Sequence, residues 1–263
     1  MQYIRMLLPL ENLLPLALAF FVIAVVYSSV GFGGGSSYVA LLALVLANFH
    51  QVRTIALICN LVVVSGSTWL YFKNKSLKIK DFLPFVVFSI PMAFVGASFK
   101  ISADFFFLLL SGVLIASALL LVFQSVYTTR KKQKTKHYHP VVSYLLGGGI
   151  GLVSGLVGIG GGIFLAPVLH HMRWAKPMKI AIVSCFFILV NSMSGLSGLV
   201  VGNSFDVPSK ELMLLIGVVF IGGQIGARLS LRLGSPKQIK FVTAILVFII
   251  GLRILLVNGL KWI

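Results

Sequence analysis

The apolar positions of this chain run on rather than alternate, which is the pattern of helices surrounded by lipid and not of half-buried strands. Between charged or polar breaks, hydrophobic stretches fall near residues 8–30, 36–47, 54–72, 82–99, 104–127, 141–157, 163–172, 180–202, 210–229 and 238–258. Most approach or pass the ~18 to 20 apolar residues that cross a bilayer core, while the second and the seventh are too short. The pattern predicts an all-α polytopic membrane protein. One clearly polar stretch, TTRKKQKTKHYHP at 128–140, divides the chain. After it the order restarts: a span, a glycine cluster, a short apolar piece and three longer spans. Residues 1–127 thus read as a first transmembrane repeat, 128–140 as a basic cytoplasmic linker and 141–263 as a second repeat. Local matches agree: VGASFKIS (95–102) is similar to IGARLSLR (225–232), and Arg53 precedes Cys59 by the same six residues as Lys179 precedes Cys185. Arg5 is followed by about forty mostly apolar residues, much longer than the ~7 to 15 of a signal-peptide core, so the first span is expected to be retained.

The glycine clusters, GFGGGSSY (31–38) and GIGGGIFL (158–165), are poor material for an apolar helix. If each merely kinked one span, residues 10–46 would form about 55 Å of helix for ~30 Å of hydrocarbon. If each is instead the tip of a hairpin, the basic residues separate sharply. Arg5, Arg53, Lys100, Lys210 and Lys261 share the side of the N-terminus, sixteen others share the opposite side, and Arg253 alone falls within a span. Simple crossings split the same residues 12 to 9. The positive-inside rule therefore favours hairpins with both termini outside the cytoplasm. Two inverted-topology repeats follow, each a glycine-tipped re-entrant or broken helical hairpin and three transmembrane helices, with a substrate site expected between them.

Composition narrows the chemistry. The chain is 59% hydrophobic and 10% charged, with a mean hydropathy of +1.05. Its formal charge of +17 lies almost wholly in short loops, so the implied partner is a lipid bilayer and not nucleic acid. All five acids, Glu11, Asp81, Asp104, Asp206 and Glu211, fall at predicted span ends. No carboxylate is left mid-membrane to hold a cation, and an anion site needs none. Gly33, Gly34, Gly35 and Ser36, with Gly160, Gly161 and Gly162, each open a short half-helix whose free N–H groups suit an anion. The other reading is that these glycines only let helices pack closely. Asn60, Asn191 and Gln224 could complete an anion site, with Ser28, Ser29, Ser37, Ser65, Ser154 and Ser192 as weaker candidates. Cys59 and Cys185 are either soft contacts in the same cavity or inert small residues; two cysteines in apolar runs make no disulfide framework. Arg253 sits where its head can reach the interface. His137, His139, His170 and His171 read as solvated loop residues and not as metal ligands. No nucleophile–base set, P-loop or CxxC is present, so neither an enzyme nor a cofactor is expected.

The segments VYSSVGFGGGSSYVALLAL (25–43) and GLVSGLVGIGGGIFLAPVL (151–169) resemble the glycine motifs of the TauE/SafE family of membrane transporters, and the resemblance covers nearly the whole chain. The second segment is the closer match, with Pro167 after its G-x-G-G-G; the first has Ala-Leu there. The resemblance implies secondary transport of a small sulfur-containing or organic anion, such as sulfite, thiosulfate, a sulfonate or sulfoacetate. The membrane it implies is a bacterial or archaeal cytoplasmic membrane. The inverted repeats imply alternating access. An anion channel and a non-transporting scaffold or assembly factor remain the other readings, and the oligomeric state is open.

Overall fold

The computed structural model describes residues 10–46, 48–73, 79–127, 136, 138–206, 209–233 and 237–259. These form ten α-helices and no strand: α1 (Leu10–Val30), α2 (Gly35–Val45), α3 (Phe49–Lys73), α4 (Ile79–Ser98), α5 (Ala103–Tyr127), α6 (Pro140–Val157), α7 (Gly162–His171), α8 (Pro177–Val201), α9 (Ser209–Leu233) and α10 (Lys237–Ile254). A π-helical turn, Leu255–Gly259, follows α10. Most of the predicted linker, and Arg5 and Lys261, lie outside the described residues. Five helices among the described residues are long and apolar enough to cross a membrane. The others are shorter apolar helices or carry shorter apolar stretches, such as Leu13–Ser29 and Phe82–Ser98.

Helix ends fall where the local chemistry puts them. Asn48 Oδ1 accepts from the His50 N–H at 3.0 Å, so α3 begins before its polar residues His50, Gln51 and Arg53, ahead of the apolar run at 54. Arg53 was expected in a loop; this cap draws it into the helix, where it is fully buried. His139 caps α6 by accepting from the Val141 N–H, with Pro140 in the first helical position, where its missing N–H costs nothing.

Small residues set how the helices meet. Lipid tails are as apolar as leucine, so helices associate through close backbone approach. On α6, Gly147, Gly151 and Gly155 lie on the carbonyls of Phe85, Ser89 and Ala93 of α4, every fourth residue on both helices, so the two run parallel. Gly222 and Gly226 of α9 repeat this against Phe21 and Val25 of α1. On α3, Val63, Gly66 and Tyr71 meet Gly223, Gln224 and Ser230, so α3 also runs parallel to α9. Hence α1 and α3 point the same way, and α2 between them carries the chain back. Against α8 the order reverses, Asn60 meeting Ser192 and Thr68 meeting Cys185, so α3 and α8 are antiparallel. The pairing of helices maps onto itself when the halves are exchanged: α1·α9 becomes α4·α6, α3·α9 becomes α4·α8, α2·α10 becomes α5·α7, and α3·α8 and α5·α10 are unchanged. The outer faces carry bare apolar side chains such as Leu14, Leu145 and Met213, each more than 70% exposed.

A methyl group on Gly147 would run into the Phe85 carbonyl, whereas one on Gly149 meets nothing within 4 Å. Gly147→Ala should therefore destabilise the protein by about 1–3 kcal/mol, read as a lower melting temperature in detergent. Gly149→Ala should leave that temperature unchanged or slightly higher.

Candidate functional site

Each hairpin turns on glycines with positive φ, a conformation that a β-carbon disfavours. Gly31 (φ +86) and Gly158 (φ +80) close α1 and α6; Gly34 (φ +93) and Gly161 (φ +79) stand at the starts of α2 and α7. The incoming helices end alike. Gly31 and Phe32 donate to the carbonyls of Ser28 and Tyr27, while Gly158 and Ile159 both donate to that of Ser154. The two tips differ at the next glycine, since Gly160 also has positive φ and Gly33 does not.

Asn60, fully buried on α3, ties the tips together. Its Oδ1 accepts from the Gly35 N–H at 3.1 Å, at the start of α2. Its Nδ2 donates to the Ile159 carbonyl at 3.1 Å and to Ser192 Oγ at 3.2 Å. Beside it lies a small cavity of about 10 Å³, room for one water, lined by Gly33, Gly34, Gly35 and Ser36 from the first tip and Gly162 and Ile163 from the second. Tyr27, Phe32, Asn60, Ile159 and Ile188 complete the wall. The N–H groups of Gly33, Gly34, Ser36 and Ser37, and of Gly160, Gly161, Gly162 and Ile163, pair with no acceptor among the described residues. Ser36 Oγ is likewise buried and unpartnered, whereas Ser37 Oγ shares a 2.6 Å hydrogen bond with Tyr27 OH. Residues with unmet donors from both helix starts, Gly33, Gly34 and Ser36 on one side and Gly162 and Ile163 on the other, therefore line one small volume. No acidic side chain lines it.

The other expected residues do not line this cavity. Gly160 packs against Asn60 Nδ2 and Ser192, and Gly161 against Phe187 and Ile150. Cys59 is buried in the main core and does not line the cavity. Cys185 packs with Val64, Tyr71 and Ile182, accepting from Thr68 Oγ1 at 3.5 Å. Asn191 donates to the Phe187 carbonyl one turn back and keeps an unpartnered Oδ1. Gln224 reaches Gly66 across the α3–α9 contact, and Arg253 is exposed in the last turn of α10. Tyr27, Phe32 and Ile188 were not anticipated; in the sequence they are ordinary apolar-run residues, and only the fold turns them inward.

The halves are alike in path and unlike in side chains. Gly31 packs against Ala181 of α8, and its counterpart Gly158 packs against Arg53 of α3. Asn60 stands over Gly33 and Gly35 as Ile188 stands over Gly160 and Gly162. These contacts pair Arg53 with Ala181 and Asn60 with Ile188, a register two residues away from the one that would pair the two cysteines.

The sequence profile of the family described as "Sulfite exporter TauE/SafE" matches residues 16–254. The chain belongs to the TauE/SafE family. A "probable membrane transporter protein" of Sinorhizobium fredii is 30% identical over 241 residues, covering 91% of this chain and 97% of that one. A second protein so described, from Haemophilus influenzae, is 25% identical over 238 residues, covering 84% and 87%. No solved structure matches. This TauE/SafE chain is thus a multi-pass membrane transporter, with lipid around it and a small-molecule substrate.

In this family member Asn60→Leu would leave the Gly35 N–H and the Ile159 carbonyl unpaired beside the cavity. At about 1–3 kcal/mol for each buried group left unmet, it should lower the melting temperature more than Asn191→Leu, which strands no partner outside its own helix.

Proposed function

We propose that this protein is a secondary transporter for a small sulfur-containing or organic oxyanion, held between the two glycine tips and exposed to each side in turn. The observation that carries the reading is the pair of helix N-termini with unmet N–H groups, and the unpartnered Ser36 hydroxyl, around one cavity. Each helix end carries roughly half a positive charge, so together they can balance an anion without a charged side chain. Sulfite, thiosulfate or a sulfonate offers several acceptor oxygens to such a cradle. With room for about one water, the cavity is too narrow to be an open pore, which supports alternating access over a channel.

The helix directions support the inverted arrangement: alternation through five elements per half leaves α1 and α6 opposed. Moving Arg53 from loop to helix keeps the charge bias, with four basic residues on the side of the termini against sixteen. We place both termini outside the cytoplasm of a cell membrane on that bias. Cysteines substituted at Asn48 and Lys176 should then react with a membrane-impermeant thiol reagent from opposite faces. Labelling of both from one face overturns the inversion.

Binding tests the site itself. Sulfite at a hundred times its Kd should stabilise the purified protein by about 2.7 kcal/mol. Asn60→Asp keeps the size of the side chain but adds a negative charge at the cavity, and should abolish that shift. The reading fails if sulfite, thiosulfate and sulfonates all leave the melting curve unmoved, or if Asn60→Asp binds as well as the wild type.

A further inference from the structure

Arg53 has no exposed surface, and no acidic side chain among the described residues pairs with it. Its Nη2 donates to two carbonyls, Gly155 at 2.9 Å near the end of α6 and Ala97 at 3.3 Å near the end of α4. Its Nε and Nη1 are buried with no partner. One turn earlier on the same face, His50 Nδ1 is also buried and unpartnered. The acid in this corner, Asp206, is taken by the side-chain amides of Asn48 and Gln51, both at 3.0 Å. The negative ends of α4 and α6 offset part of the Arg53 charge, yet three N–H bonds of a guanidinium remain unmet in a site away from water. A buried charge with unmet donors is expensive unless something else satisfies it during the working cycle.

We infer that Arg53 is a second anion contact, separate from the glycine tips, which receives the oxyanion on the side of the membrane where α3 begins. The inference rests on the anion-transport reading above and adds a residue and a direction to it. Arg53 and Asn60 are seven residues apart, two turns or about 10 Å along α3. Both press on the second hairpin, Arg53 on Gly158 and Asn60 on Ile159 and Gly160. An anion leaving the guanidinium therefore meets the tips next. The carbonyl bonds at Nη2 hold the head in place and leave Nε and Nη1 for the ligand. The counterpart on α8 is Ala181, which can do none of this, so the effect is confined to one face.

That one-sidedness gives the test. Initial rates of sulfite flux are measured from each face of proteoliposomes holding uniformly oriented full-length protein, alongside the melting temperature. Arg53→Gln should raise the ratio of the half-saturating sulfite concentration at the α3-start face to that at the other face by at least about tenfold, the worth of one charge-assisted hydrogen bond. Arg53→Lys, which keeps the charge and loses the planar fork, should give a smaller rise. An arginine that only ties α3 to the ends of α4 and α6 would lower the melting temperature and the active fraction and leave the ratio unmoved, which overturns the inference. If Arg53→Gln does not insert, the ratio in Arg53→Lys decides alone. A ratio unmoved while Asn60→Asp abolishes flux removes the Arg53 contact and keeps the tip site. Absence of saturable wild-type flux removes both.

Discussion

A backbone buried in hydrocarbon must meet its own polar groups, and this fold breaks that rule in two places on purpose. An unbroken helix satisfies every internal N–H; a glycine turn followed by a new helix start does not. Much else here follows from making those two breaks tolerable. Tyr27 and Ser154 carbonyls absorb the donors at the ends of the incoming helices, and Asn60 absorbs one at the start of α2. Residues of α3 and α8, among them Arg53, Asn60, Val64, Ala181, Ile188 and Ser192, pack directly on the tip glycines. Of the groups left unmet, those of Gly33, Gly34, Ser36, Gly162 and Ile163 belong to residues that line one small cavity.

The second constraint is that the halves share a path but not a chemistry. A pairing of helices that maps onto itself places equivalent positions of α3 and α8 against opposite tips. At those positions the first half carries Arg53, Asn60 and Val64, and the second carries Ala181, Ile188 and Ser192. The polar groups that reach the second hairpin from α3 have no match reaching the first from α8. The two tips therefore contribute unequally: the start of α2 has a side-chain partner in Asn60, whereas that of α7 is covered by the aliphatic Ile188.

Helix content and the position of both breaks were legible because length and glycine act locally. An apolar run longer than a bilayer needs must turn, and three glycines in a row say where. Asn60 and Ser36 were legible as polar residues in apolar surroundings. Arg53 was not, because a charge beside an apolar run looks the same whether the helix starts before it or after it; the Asn48 cap decides, and it lies in the same short segment. The cavity wall was illegible for another reason. Ile188, Tyr27 and Phe32 are brought there by contacts between helices, whose register differs by two residues from that suggested by the matched cysteine spacings.

That register also decides which side-chain bonds cross between the halves. Of the three hydrogen bonds made by the Asn60 side chain, one stays within the first half, to Gly35, and two cross to the second, to Ile159 and Ser192. At a net worth of about 1 kcal/mol each, the crossing pair adds about 2 kcal/mol to the packing of α1 on α9, α4 on α6 and α3 on α8 that also joins the halves. A differential affinity of that size is within the means of a small ligand, and a ligand can shift a conformational equilibrium only by its differential affinity. An oxyanion that takes up the tip donors needs more room than one water occupies, so it cannot enter while Asn60 spans both tips at these distances. On the transport reading proposed above, taking up the anion and breaking the Asn60 bridge are then one event, and that amide is the group through which the anion acts on α3.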